Sequence, residues 1–365
     1  MKRRTLLSLL AAGSASASLA QPGQRARDGR EHVLILLELR GGNDGLNTVI
    51  PHKDPLYLAA RPSLAVTNGP PLNERLSLHP ALAPLLPLWQ QRKLCFALGV
   101  GWPKPNRSHF KAADQWATAN PSGEGNGWLA EAFAPYRRSG PLVALGPSGC
   151  DAMEGTDTLA LQLSSEQLLQ SQPGSVTALM DTPSPVLRRL LEMEQEGQRE
   201  LELLRRHLKA LPAGIPVGRG GINQQISLAL RLLDSGVSPP VLQLFMGGFD
   251  THFNQAPRHE RLLTEVASAL ATLDAGLRQL KARPRVTLLA VSEFGRRVRE
   301  NGSKGTDHGS ASVAFLYGDD IAQSFIGSYP DLGILDSRGD LIATMDPIDL
   351  YRHALAGTQV AGWRA

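Results

Sequence analysis

The hydrophobic positions of this chain fall into two alternating patterns. Residues 33–39, VLILLEL, form an almost unbroken apolar run that stops at a glycine pair, as a strand buried on both faces does. Shorter runs of the same kind occur at 94–99, 142–145, 241–246, 286–291 and 312–317. Between them, apolar residues recur at three- and four-residue spacing over 81–91, 108–119, 127–136, 186–209, 222–234, 258–281 and 346–356, which predicts helices. Strands alternating with helices predict a three-layer, doubly wound α/β fold whose mostly parallel sheet is covered on both faces. The segment 186–209 is densely charged around its leucines and reads as an exposed amphipathic helix that packs one face on the body. Gly- and Pro-rich stretches at 68–71, 121–127 and 211–221 read as loops, the last a candidate hinge between the halves. The pattern from residue 30 to 365 is expected to form one α/β domain.

The first twenty residues stand outside this pattern. Lys2, Arg3 and Arg4 precede an apolar run from Leu6 to Ala12, and small residues follow, with Ser18 and Ala20 in a cleavage-site arrangement. The run is too short to span a bilayer, and no later stretch reaches eighteen uninterrupted apolar residues. A cleaved export signal is therefore expected, leaving a periplasmic or secreted protein with no transmembrane segment. KRRTLL matches the twin-arginine pattern in part, with leucine where phenylalanine is common.

Removing the signal changes the charge balance. Three of the 38 basic residues lie within it, so the remainder carries 35 basic against 34 acidic residues and has no basic block. Nucleic acid and anionic membrane surfaces are set aside as partners. Two cysteines, Cys95 and Cys150, permit a disulfide in an oxidising compartment without requiring one. Cys95 lies inside the apolar run LCFALGV, which favours a buried free thiol.

Ligands in doubly wound sheets bind beyond the carboxyl ends of strands, and four predicted strands are followed at once by polar, glycine-rich turns. The first is LLELRGGNDGLNT, which presents Arg40, Asn43 and Asp44, in what is otherwise an ordinary Asn-Asp-Gly turn. The second, LFMGGFDTHFNQ, places Asp250 and His252 two residues apart on an extended segment, where both side chains point the same way. In the third, LLAVSEFGRRVRENGSKGTDHGSAS, Glu293 ends a strand and Asp307 and His308 follow a polar loop. The plain reading of Glu293 is a surface ion pair with Arg296 or Arg297. The fourth, GWPKPNRSHFKAADQW, sets Asn106, Arg107, Ser108 and His109 at a helix start, where Ser108 is either a simple N-cap or a nucleophile near amides that favour an anion.

There is no G-x-S-x-G elbow, Walker loop or G-x-G-x-x-G fingerprint. Carboxylates and imidazoles without cysteine suit zinc, manganese, magnesium or calcium, and Asp44, Asp250, His252, Glu293, Asp307 and His308 are enough for one or two divalent ions. Such ions acting on a phosphate- or sulfate-type centre activate the nucleophile and stabilise the leaving oxygen.

The stretches LRGGNDGLNTVIP, LHPAL, NRSHF, GGFDTHFNQ with the following His259, and SEFGRRVRENGSKGTDHGSA resemble the domain-of-unknown-function family 1501, which belongs to the alkaline-phosphatase-like superfamily. The resemblance runs from residue 33 to about 350. It implies an alkaline-phosphatase-like sheet with one or two metals at the strand ends. It also implies a twin-arginine signal and a longer closing helix and strand after LYRHALAG. Asp44 is similar to the superfamily's first-strand aspartate ligand, Ser108 to its helix-capping nucleophile, and Asp250 with His252 to an Asp/His ligand group. Asp307-His308-Gly309 resembles its Asp-His-Gly motif, although the strand that should end in that motif ends in Ser-Glu-Phe-Gly.

The expectation is an exported metal-dependent hydrolase of small anionic esters, phosphate or sulfate. Ser108 and His109 are its catalytic candidates, and Arg40, Asn43, Asn106 and Arg107 are its substrate-binding candidates. The alternative is a non-catalytic exported binding or assembly protein of the cell envelope that retains the fold.

Overall fold

The computed structural model describes residues 31–146, 149, 151–155, 158–163, 184–208, 210–211, 214–215, 221–236, 239–281 and 283–364. The expected export signal and Cys150 lie outside the described residues. In chain order the elements are β1 (His32–Leu39), β2 (Val49–Ile50), α1 (Pro55–Ala60), β3 (Ser77–Leu78), α2 (Leu86–Gln90), β4 (Leu94–Val100), α3 (His109–Thr118), α4 (Trp128–Phe133), β5 (Leu142–Leu145), β6 (Ala160–Leu163), α5 (Pro185–His207), α6 (Gly221–Asp234), β7 (Val241–Met246), α7 (Gln255–Leu277), β8 (Arg285–Val291), β9 (Ser312–Gly318), β10 (Phe325–Gly327) and α8 (Pro347–Leu355).

Eight strands form one sheet in the order β10-β4-β9-β8-β1-β7-β5-β6. All pair in parallel except β9, which runs antiparallel to both β8 and β4. The central strand β1 shows why the predicted layers form. Successive side chains of a strand point to opposite faces. Val33, Ile35, Leu37 and Leu39 enter a core with Ile226 and Leu230 of α6 and Leu263 and Leu270 of α7. Leu34 and Leu36 enter a second core with Trp116 of α3, Trp128 of α4 and Tyr351 of α8. Both faces are thus buried, which is why the run carries no apolar-polar alternation.

The predicted helix over 81–91 divides into a 3-10 turn, Pro80–Leu85, and the short α2. Pro84 and Pro87 lack the amide protons a continuous α-helix needs there. In α5, Ser184 caps the helix by accepting from the Leu187 amide, and Leu191 and Leu204 are its buried residues. Cys95 is a free thiol buried in β4, and burial pushes its pKa up to about 12. No helix among the described residues is long and apolar enough to cross a membrane.

Candidate metal centre

The carboxyl ends of β1, β4, β7 and β8 open on one edge of the sheet, and the turns beyond them are fastened together by their own backbones. Arg40 donates its amide to the Met246 carbonyl at 2.8 Å, and Phe249 donates to the Arg40 carbonyl at 3.1 Å. Gly41 sits between these turns with φ +118°, and a Cβ there would lie 2.3 Å from the Asp250 amide nitrogen. Only glycine allows both the backbone angle and that approach.

Three imidazoles converge on Asp250 from separate chain segments. His252 Nε2 lies 3.0 Å from Asp250 Oδ1, and His308 Nε2 lies 3.1 Å from the same oxygen. The two Nε2 atoms are 2.9 Å apart. His109, the first residue of α3, brings its Nε2 to 3.5 Å from Asp250 Oδ2. Donor atoms of His109, Asp250 and His308 all lie within 4.8 Å of one another.

The opposite nitrogen of each ring faces an acceptor. His109 Nδ1 is 2.8 Å from Glu293 Oε1, His308 Nδ1 is 2.8 Å from the Arg107 carbonyl, and His252 Nδ1 is 3.3 Å from Asp307 Oδ1. A carbonyl or a carboxylate can only accept, so each ring can donate through Nδ1 and offer its Nε2 to a metal ion. A carboxylate oxygen of Asp250 stands 3.0–3.1 Å from the His252 and His308 Nε2 atoms, which are themselves 2.9 Å apart. Ligand edges around a tetrahedral zinc are about 3.3 Å, which follows from bonds of about 2.0–2.1 Å. His109, Asp250 and His308 suit a divalent ion in chemistry, with donor atoms within 4.8 Å of one another, and His252 Nε2 stands beside them, 2.9 Å from His308 Nε2.

The charges behind these donors are arranged to hold them. Arg296 is fully buried and donates to Asp250 Oδ1 at 2.7 Å, to the Gly42 carbonyl at 2.8 Å and to the Thr306 carbonyl at 2.8 Å. Burial raises the Asp250 pKa, but the Arg296 guanidinium and His308 outweigh it and bring the group to about 2. The hydrogen bond to Glu293 raises the His109 pKa, whereas burial lowers that of His308. The side-chain amide of Asn301, with His252 beside it, lowers Asp307. Sequence reasoning named Arg296 only as a partner for Glu293 in a surface ion pair. Its burial depends on the carbonyls of three distant turns, which no local pattern reveals.

The other candidates lie elsewhere. Asp44 does not reach the convergence. It is buried in an ion pair with Arg61, at 2.6 Å to Oδ2 and 3.0 Å to Oδ1, and it accepts from Gln255 at 2.5 Å. Burial would raise its pKa, but the adjacent guanidinium holds it below the ordinary 3.8. Asn43, expected to meet substrate, is buried with its oxygen 2.9 Å from His259 Nε2 and its amide donating to Thr48 Oγ1 at 3.1 Å. Arg107 turns its guanidinium to Asp340, and Asn106 Oδ1 accepts from the Ser108 amide at 2.9 Å. Ser108 is exposed at the N-cap of α3, and its hydroxyl makes no capping hydrogen bond. Glu293 pairs with neither neighbouring arginine. Its Oε1 accepts from the Gly41 amide at 2.8 Å as well as facing His109.

Arg40 lines an open pocket of about 540 Å3 that adjoins His109 and Glu293. Its guanidinium pairs with Glu38 at 2.8 Å and lies 4.6 Å from the centre of the Phe245 ring. Phe110, Trp116, Trp128 and Tyr351 supply most of the pocket's aromatic surface.

Comparison with solved structures finds low similarity to several proteins. The zinc complex of the C-terminal periplasmic domain of EcEptC from Escherichia coli is 10% identical, with a TM-score of 0.40 over 94% of this chain and 87% of that one. The soluble domain of lipooligosaccharide phosphoethanolamine transferase A from Neisseria meningitidis is 13% identical, with a TM-score of 0.44 over 93% and 90%. TAB5 alkaline phosphatase, in a mutant with magnesium bound, is 11% identical, with a TM-score of 0.40 over 92% and 99%. No curated protein matches the sequence. Residues 89–348 match the family of proteins of unknown function DUF1501, and the chain belongs to that family.

Proposed function

We propose that this protein is an exported, metal-dependent hydrolase of phosphate or sulfate esters. One observation carries the reading: the Nε2 atoms of His252 and His308 lie 2.9 Å apart beside Asp250, with His109 close by. Asp250, His109, His252 and His308 are the ligands in this reading, and Glu293 and Asp307 orient two of the rings from behind. His109 therefore serves as a ligand instead of a general base, because its Nδ1 is committed to Glu293.

A divalent ion held there polarises an ester oxygen and favours the ionised form of a nearby hydroxyl. Ser108 is the nucleophile, placed beside His109 at the free amide end of a ten-residue helix. Its oxygen bonds to phosphorus or sulfur, the ester alcohol leaves with a proton, and water releases the acid from the serine. The pocket along Arg40 and Trp116 receives the alcohol. The motif resemblance to the alkaline-phosphatase-like superfamily supports the same chemistry.

The test is metal analysis of the purified, untagged protein, together with hydrolysis of aryl phosphates and sulfates. Bound metal and turnover are expected in the wild type, with both lost in Asp250→Ala and His308→Ala. A metal-free wild type that hydrolyses neither ester class overturns the proposal.

A further inference from the structure

The number of ions follows from where the carboxylates are spent, an inference that rests on the metal reading above. A pair of hydrolytic ions stands about 3.5–4 Å apart, and each needs its own donors with carboxylates between them. The partners of Asp44, Glu293, Asp307 and Asp250 decide this.

Asp44, in the turn after the first strand, is the donor that the superfamily resemblance assigns to a metal. Arg61 holds both its oxygens, Gln255 takes one of them again, and the side chains of the Asp44–Arg61 pair are wholly buried. Arg61 is itself fixed, since its Nε donates to the Val298 carbonyl at 2.9 Å and its Nη2 to the Arg297 carbonyl at 2.9 Å. An ion at Asp44 would have to expel a buried guanidinium and leave that charge unpaired, which is strongly unfavourable. Glu293 Oε1 is shared between His109 and the Gly41 amide, and its Oε2 is 3.2 Å from Ser292 Oγ. Asp307 Oδ1 accepts from Asn301 at 3.1 Å and faces His252 Nδ1. Asp250 alone turns an oxygen toward the imidazole Nε2 atoms.

The Asp250 oxygen that faces His252 and His308 is also held by a fixed positive charge. Arg296 Nη2 lies 2.7 Å from Oδ1 and is anchored to the Phe249 carbonyl at 2.9 Å. A second divalent ion bridged through Asp250 would meet that charge directly.

We propose that the centre is mononuclear: one divalent ion on Asp250, His109, His252 and His308, with Arg61 and Arg296 supplying the cationic charge that a second ion would otherwise bring. Arg61 and Arg296 are positioning residues here, and neither touches substrate.

The decisive experiment is zinc loading of the metal-stripped, untagged full chain, followed by native mass spectrometry and calorimetric titration. One equivalent is expected in the wild type and in Asp44→Asn, which keeps a neutral acceptor for Arg61. His308→Ala should lose the tight equivalent, with affinity down at least tenfold. Two tight equivalents in the wild type, above all if Asp44→Asn falls to one, overturn the mononuclear proposal and leave the metal reading standing. No tight zinc in a folded wild type overturns both.

Discussion

Each imidazole of the centre is gripped from behind, and Glu293 shows what that grip does. It holds His109 through Nδ1, so His109 Nε2 can point only toward Asp250. A partner of this kind fixes the tautomer and strengthens the ring as a donor. Glu293→Gln keeps the shape and removes the charge, so metal affinity should fall about 10–100-fold. Competition with a chromogenic chelator measures this, and unchanged affinity would mean that Glu293 does not act through His109. At this scale the sequence was informative where a side chain follows a strand directly. Asp250 and His252 were visible just beyond an apolar run, His109 at a helix start and His308 after a polar loop. The commitment of Asp44 was not visible, because its partner Arg61 ends the unremarkable helix α1 and meets it only when the turns fold together.

At the scale of elements, the turns after β1 and β7 behave as one piece, and Gly41 is where they touch. Gly41→Ala would place a methyl group 2.3 Å from the Asp250 amide and impose a backbone angle that alanine resists. It should lower stability by about 1–3 kcal/mol and loosen metal binding together with it. Denaturant unfolding with and without zinc separates the two effects, and a variant equal to wild type in both would remove Gly41 from the account. Six strands could be read from apolar runs because strands buried on both faces need no polar positions. β6 and β10 were missed, since three or four residues at a sheet edge leave too short a pattern. The reversed direction of β9 was also unreadable, because an apolar run reads the same whichever way its strand is laid.

For the whole molecule, acid stability depends on histidines that the centre does not use. His259 is buried in α7 against Asn43, and burial lowers its pKa to about 3. The unfolded chain binds that proton near 6.5. Its contribution is therefore complete above pH 6.5 and is lost as pH falls toward 3. Between pH 7 and 5 this amounts to about 2 kcal/mol. His259→Gln retains a donor for Asn43 without a titrating ring, so its stability should change less across that interval, whatever its absolute value. Equal slopes in chemical unfolding at the two pH values would show that His259 is not the group responsible. The antiparallel β9 has a different kind of consequence. Because β9 lies beside β8 and runs back along it, residues 292–311 leave the sheet and return to it at the same edge. Both ends of that span are pinned by neighbouring strands, and its outer part is fastened to the body: the Asn254 and Gln255 amides at the start of α7 donate to the Ser303 and Lys304 carbonyls, and Glu300 accepts from the Ser63 and Leu64 amides just after α1. A change of length there would pull on α1, α7 and His308 together, so the span ties the surroundings of the centre to both helices and is not a loop free to vary.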